Sequence, residues 1–182
     1  MIYNKGNIMT NTAIVSILCP DEVGLVADVA GRLFDQGANL ADITFAVLGG
    51  NAEFTAVCEL PDGIDAETID AALRQLEKLK NADITVLPFE EAAAGGDMMT
   101  HRVAIISGGD RPGLVARLCE VFGEFKANIV RLNSEKIQAP GKEHYVIRAA
   151  VSIPKESEKS CMATVANTAG ELGLRCDWRE EK

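Results

Sequence analysis

The sequence predicts an α+β protein built from two ferredoxin-like βαββαβ sandwiches in tandem. Three observations predict it. "CPDEVGLVADVAGRLFDQGANL" at Cys19–Leu40 returns as "GGDRPGLVARLCEVFGEFKANI" at Gly108–Ile129, with Asp21 and Asp110 89 positions apart and no gap needed to align the two. A period that long marks a duplicated domain, not a solenoid unit. Within each copy the apolar pattern alternates between strand and helix spacing in the order strand, helix, strand, strand, helix, strand. Between the copies runs "FEEAAAGGDMMT" (Phe89–Thr100), small, acidic and glycine-rich. The expected boundaries are a first domain at 12–88, a linker at 89–100 and a second domain at 101–182.

The first strand is "AIVSIL" (Ala13–Leu18), apolar and β-branched, broken by Cys19–Pro20–Asp21. "GLVADVAGRLF" spaces Leu25, Val26, Val29, Leu33 and Phe34 as a helix does, with Asp28, Arg32 and Asp35 on the other side. Asp21 stands just upstream, placed to cap the first turn. Gly37 suits the left-handed residue that ends a helix. "LADITFAVLGGNAEFTAVCEL" reads as a hairpin about Gly49–Gly50–Asn51. Ala41, Ile43, Phe45 and Val47 share one face, as do Phe54, Ala56, Cys58 and Leu60 on the return strand. Pro61–Asp62–Gly63 turns the chain into a helix from about Asp65 to Leu79, striped by Ile69, Leu73 and Leu76. "DITVLP" (Asp83–Pro88) is the last strand of the copy.

The second copy repeats the order. Its strand is Arg102–Ser107 and its helix Gly113–Phe125, with Pro112 at the first helical position. A hairpin of Ile129–Ile137 and His144–Ile153 turns about "QAPGKE". A helix from about Glu156 to Leu172 is stopped by Gly173, and a strand lies near Leu174–Trp178. The crossover rule places strands one and three of each copy side by side and parallel in mid-sheet. Their C-terminal ends would then share the edge that carries the Cys19–Leu25 and Gly108–Leu114 loops.

The net charge is −9, unevenly divided. Residues 1–95 hold 5 Lys and Arg against 15 Asp and Glu, and residues 96–182 hold 13 against 12. Nucleic acid needs a basic face that displaces counterions, and the first half has none, so direct binding is not expected. No apolar run is long enough for a membrane span. "MIYNKGNIMTN" lacks the apolar core of a signal peptide, and Met9 is an alternative start. A cytoplasmic location is expected. Five scattered cysteines form no CxxC pair, which argues against a zinc site or a disulfide framework.

The duplicated loop offers specific chemistry. Gly24 and Gly113 open a helix and have no side chain to keep a ligand from the backbone. The first N–H groups of a helix are unpaired and sit at its positive end, so a carboxylate is the natural guest. Asn39 and Asn128 open the next strand, and an amide both donates and accepts. A plainer reading stands beside this. The glycine can be a turn requirement and the asparagine a helix cap, and a turn that the fold needs would be duplicated as well.

The pattern D-x-P-G-L after the first strand, with A-N-I opening the second, resembles the ACT domain. The likeness covers Ala13 to Trp178 and is strongest to paired ACT domains that regulate glycine-cleavage genes and to ACT domains of folate-pathway enzymes. It implies that the domains pair and take a small amino acid at the interface of the pair. Carried over by position, the site residues are Asp21, Gly24, Leu25 and Asn39, and Asp110, Pro112, Gly113, Leu114 and Asn128. Two positions depart from the pattern. Val23 stands where proline is usual, and Lys126 stands where the first copy has Gly37, so unequal sites are expected.

The resemblance therefore implies a regulatory protein that binds glycine or serine and modulates a protein partner, in the setting of glycine-cleavage transcription. The alternative is a non-sensing interaction module, or a regulatory subunit of an amino-acid or folate-pathway enzyme. The face of the sheet away from the helices (Asp42, Thr44, Ala46 and Leu48, then Arg131, Asn133 and Glu135) would suit a partner. An edge strand in each copy favours a homodimer. No cofactor or metal is expected, and no enzyme activity. His101, at the end of the linker, and His144 join no triad pattern. Cys19 is the one suspicious nucleophile, because a following helix N-terminus lowers a thiol pKa, and Cys58 is expected near it.

Overall fold

The computed structural model describes residues 11–90, 99–110, 112–139 and 142–180. The leading segment with Met9, residues 91–98 of the expected linker, Arg111, residues 140 and 141 of the expected turn and the last two residues lie outside these. The chain divides into two compact units, split between residues 93 and 94. Unit 1 runs β1 (Asn11–Pro20), α1 (Leu25–Asp35), β2 (Asn39–Leu48), β3 (Asn51–Leu60), α2 (Ala66–Leu73) and β4 (Asp83–Pro88). Unit 2 runs β5 (Met99–Gly108), α3 (Leu114–Glu124), β6 (Asn128–Ala139), β7 (Lys142–Pro154), α4 (Glu158–Glu171) and β8 (Arg175–Glu180). This is βαββαβ twice, an α+β fold.

The sheets have strand orders β2-β3-β1-β4 and β6-β7-β5-β8. Strands one and three of each copy are neighbours in mid-sheet, as expected, but they are antiparallel and not parallel. The reason is topological. A helix crossover keeps strand direction and a hairpin reverses it, so β3 opposes both β1 and β2. Pro20 therefore faces Asn51 at one end of the sheet and Asn11 faces Leu60 at the other. The C-terminal ends of β1 and β3 do not share an edge. His101 lies inside β5 and not at the end of a linker. The strands also outrun the propensity-based bounds, because ladder pairing carries β1 through Cys19 and Pro20.

The helices bury one stripe each against one face of their sheet. Leu25, Val29 and Leu33 of α1 and Ile69 and Leu73 of α2 meet Phe54 and Cys58 of β3. In unit 2, Leu118 and Phe122 of α3 and Val165 of α4 do the same, and Phe122 meets Trp178 edge-on at 6.3 Å. Gly108, the counterpart of Cys19, is required by packing. A Cβ there would lie 2.4 Å from Leu174 Cδ2.

The second helix is shorter than its pattern. α2 ends at Leu73, Leu76 is extended (φ −70°, ψ 130°), and Glu77–Leu79 form a 3-10 turn. In a continuous helix Leu79 would point about 80° off the stripe of Ile69, Leu73 and Leu76. The break lets Leu79 enter the core, where it is buried.

The edge strand β2 is the unusual surface. Its register sets Ile43, Phe45 and Val47 opposite Ala56, Phe54 and Ala52, on the helix-bearing face. Neither helix covers them, and they remain 50%, 40% and 45% exposed. Ala41, expected in the same row, lies at a register shift between Leu40 and Asp42. The equivalent row of β6 is Leu132, Ser134 and Lys136. Asp42, Thr44, Ala46 and Leu48, and Arg131, Asn133 and Glu135, lie on the helix-free face.

Candidate functional site: the helix-opening turns and the strand-opening asparagines

The repeated glycine is first a turn residue. Gly24 has φ 85° and ψ 2°, and Leu25 N–H donates to the Glu22 carbonyl at 3.1 Å. Val23 has no positive φ. These are the marks of a type II turn, which wants proline at its second position and glycine at its third. Gly113 repeats the conformation (φ 80°, ψ 0°) with Pro112 before it. Pro112 thus lies in the turn and not at the first helical position. It explains the D-x-P-G-L pattern as turn chemistry, and Val23 as a tolerated departure.

The turn leaves the helix start open. Asp21 does not cap α1; Gly24 is the N-cap, and no side chain bonds the first turn. Asp28 N–H donates to the Gly24 carbonyl at 3.0 Å, leaving the N–H groups of Val26 and Ala27 without a partner among the described residues. Helix α3 carries no side-chain cap either. Leu25 and Leu114 are buried core anchors, so they serve the loop from below. Asp21 N–H is tied to the Gly50 carbonyl of the β2–β3 hairpin at 3.0 Å. Asp110 is instead tied through its side chain, to Lys136 Nζ at 2.7 Å.

The asparagines lie elsewhere. Asn39 is opposite Glu59, to whose Oε2 its Nδ2 donates at 2.8 Å, while the loop follows Pro20 opposite Asn51. The eight residue steps from Asn51 to Glu59 span roughly 25 Å of strand. Asn128 opposite Ser152 and Gly108 opposite Tyr145 repeat this separation. No small ligand held by one unit touches both its loop and its asparagine.

Sequence reasoning missed Lys78. Its Nζ donates to the Val23 carbonyl at 2.8 Å and lies 2.8 Å from Asp28 Oδ2, against the turn. A continuous second helix gave no reason to bring it there. It also missed the contact of Ser152 Oγ with His101 Nδ1 at 2.8 Å, a pairing across strands that spacing does not reveal.

Cys19 is not an activated thiol. Burial, then Glu22 and Asp21, raise its pKa instead of lowering it. Cys19 is opposite Ala52 and Cys58 opposite Ala13, six pairs along the ladder, so the two are not neighbours. All five cysteines are free. Among the described residues no group of three or more His, Cys, Asp or Glu could hold a metal, and no helix is long and apolar enough to cross a membrane.

Residues 13–78 match the family profile of the ACT domain. No curated protein matches the sequence. Among solved structures, an unknown protein from Galdieria sulphuraria is 24% identical, with 94% of this chain and 99% of that one covered and a TM-score of 0.82. A putative glycine cleavage system transcriptional repressor is 12% identical, with 96% and 99% covered and a TM-score of 0.68. These likenesses show the fold of the whole chain. The ACT-domain match thus belongs to the first unit, and the second unit repeats its strand order and its glycine turn.

Proposed function

We propose that the protein senses a small amino acid, glycine or serine, and that the ligand acts by favouring pairing of the ACT domains. ACT domains are regulatory, amino-acid-binding modules. The observation that carries the reading is the placement of loop and asparagine at opposite ends of a sheet whose β2 edge is exposed. Two copies of β2 paired antiparallel about a two-fold axis set residue 39 of one beside residue 48 of the other. Leu48 precedes the hairpin whose Gly50 holds Asp21. The second copy's Asn39 therefore comes to the end of the sheet that carries the Asp21–Gly24 loop. The ligand's carboxylate takes the free N–H groups at the helix start, and its remaining polar atoms take the asparagine. Asp110, Pro112, Gly113 and Asn128 allow the same in unit 2. A site completed only by pairing links binding to association.

The paired state is then read by a regulatory protein partner, without enzyme activity or direct nucleic-acid contact by this chain, in the cytoplasm. Glycine-cleavage transcription is the setting suggested by the name of the similar repressor structure. Sedimentation velocity and thermal melts across the twenty amino acids test the sensor. Glycine or serine should drive association and, at 100 times its Kd, raise the melting midpoint by about 5–10 °C. Asn39→Ala with Asn128→Ala should lose both effects; if the double variant binds every ligand as wild type does, the site assignment is wrong.

A second reading, a non-sensing interaction module, is favoured by the exposed row Ile43, Phe45 and Val47, which needs a cover whether or not a ligand is present. Identical partners captured with and without amino acids would support it.

A further inference from the structure

Resting on the sensor reading of the unit 1 loop, we propose that Lys78 is the residue that binds the ligand's carboxylate and that selects acids over amides. The break after Leu73 and the extended Leu76 turn Lys78 toward the loop. Its ammonium sits against the bare face of Gly24, where a Cβ would lie 3.0 Å from Nζ. Two contacts hold it, the Val23 carbonyl and Asp28. An ammonium has three protons, so one remains for a guest. The side chain is 25% exposed and so within reach of solvent-borne ligands.

Electrostatics give the direction of selection. A cation beside a helix N-terminus opposes the helix dipole, and Asp28 and the carbonyl compensate for it. An arriving carboxylate meets the ammonium and the N–H groups of Val26 and Ala27 together. A neutral amide gains little from either.

Unit 2 is built differently. Asp83 and Arg175, the partners of Leu18 and Ser107, are 92 residues apart, and that offset puts Lys78 at Gly170 within the unbroken α4. Arg117 stands at the position of Asp28 and pairs with Glu120 at 3.0 Å. The lysine near that loop, Lys136, comes from β6 and pairs with Asp110. The broken second helix that carries a lysine to the turn belongs to unit 1.

The test is calorimetric titration of the full chain with glycine and serine and with glycinamide and serinamide. Wild type should prefer acid over amide by about tenfold or more. Lys78→Met keeps the length of the side chain and removes its charge; it should weaken the acid by about tenfold and bring the ratio near one. Lys78→Arg should keep most of the preference. A melt of each ligand-free variant shows whether the fold is retained. If Lys78→Met weakens acid and amide equally, the lysine is structural and the proposal falls. If it binds the acid as wild type does, the proposal falls while the sensor reading stands. If wild type binds neither acid nor amide, both fall.

Discussion

Gly24 and Gly113 hold the same turn, yet alanine should not cost the same at both. Each has φ near +80°, where an L-residue loses about 1–2 kcal/mol. At Gly113 the new Cβ meets nothing within 4 Å, so backbone strain is the whole effect, about 1–2 kcal/mol. At Gly24 the Cβ lies 3.0 Å from Lys78 Nζ, and the flexible side chain retreats. It gives up its contact with the Val23 carbonyl and its ion pair with Asp28. These are partly exposed, so the extra loss is about 1 kcal/mol, putting Gly24→Ala at roughly 2–3 kcal/mol. Urea unfolding measures both. The only tryptophan, Trp178, reports on unit 2, and amide NMR signals separate unit 1. In a Lys78→Ala background the excess at Gly24 should vanish, leaving the cost seen at Gly113. Equal costs in the wild-type background, or an excess that survives removal of Lys78, would refute the placement of the lysine on the turn.

Two further outcomes are expected. Lys126 is the one non-glycine residue with positive φ among the described residues (54°), at the helix-ending position that Gly37 fills in unit 1, so Lys126→Gly should stabilise unit 2 by about 1 kcal/mol, read from the Trp178 unfolding curve. Burial pushes the thiols of Cys58, Cys161 and Cys176 up from 9.0 to about 11. The unfolded chain therefore releases these protons first, so stability is unaffected well below pH 9 and falls between pH 9 and 11, on the order of 1 kcal/mol per thiol by pH 10. Urea midpoints across that range should fall less steeply for Cys58→Ala than for wild type.

The elements that were legible are those with local causes. The 89-residue repeat, the Gly49–Gly50 hairpin and the Gly37 helix stop follow from spacing and from residues that tolerate positive φ, and the structure has all three. What failed depended on direction or on tertiary competition. The antiparallel relation of β1 and β3 follows from counting reversals, which propensity ignores. The break in α2 is decided by Leu79 entering the core, a gain invisible to a periodicity that suits a helix through Leu76. Cys19 shows the same limit: a helix start argues for a low thiol pKa, and burial with two nearby acids overrides it. For the candidate site the residues were legible but not their separation. Loop and asparagine are neighbours in the repeat, and a helix that returns the chain to the far end of the sheet parts them.

That separation sets the energetics of the proposed switch. Fully burying a valine, isoleucine or phenylalanine is worth about 1.5–3 kcal/mol. Ile43, Phe45 and Val47 are already about half buried, so covering the rest adds about 1 kcal/mol each, or about 6 kcal/mol across a symmetric pair. Association costs an estimated 4–15 kcal/mol in lost freedom. The apolar edge alone is thus close to balance, and strand hydrogen bonds net little beyond those already made to water. A ligand at 100 times its Kd contributes about 2.7 kcal/mol per site, and a symmetric pair has two such sites. A term of that size decides the outcome only when the rest nearly cancels. The β6 edge, with Leu132 alone where unit 1 has three apolar residues, starts far below balance. Ligand-dependent self-association should therefore run through unit 1. There the turn carries Lys78, and selectivity for a carboxylate would be spent where it can change the assembly.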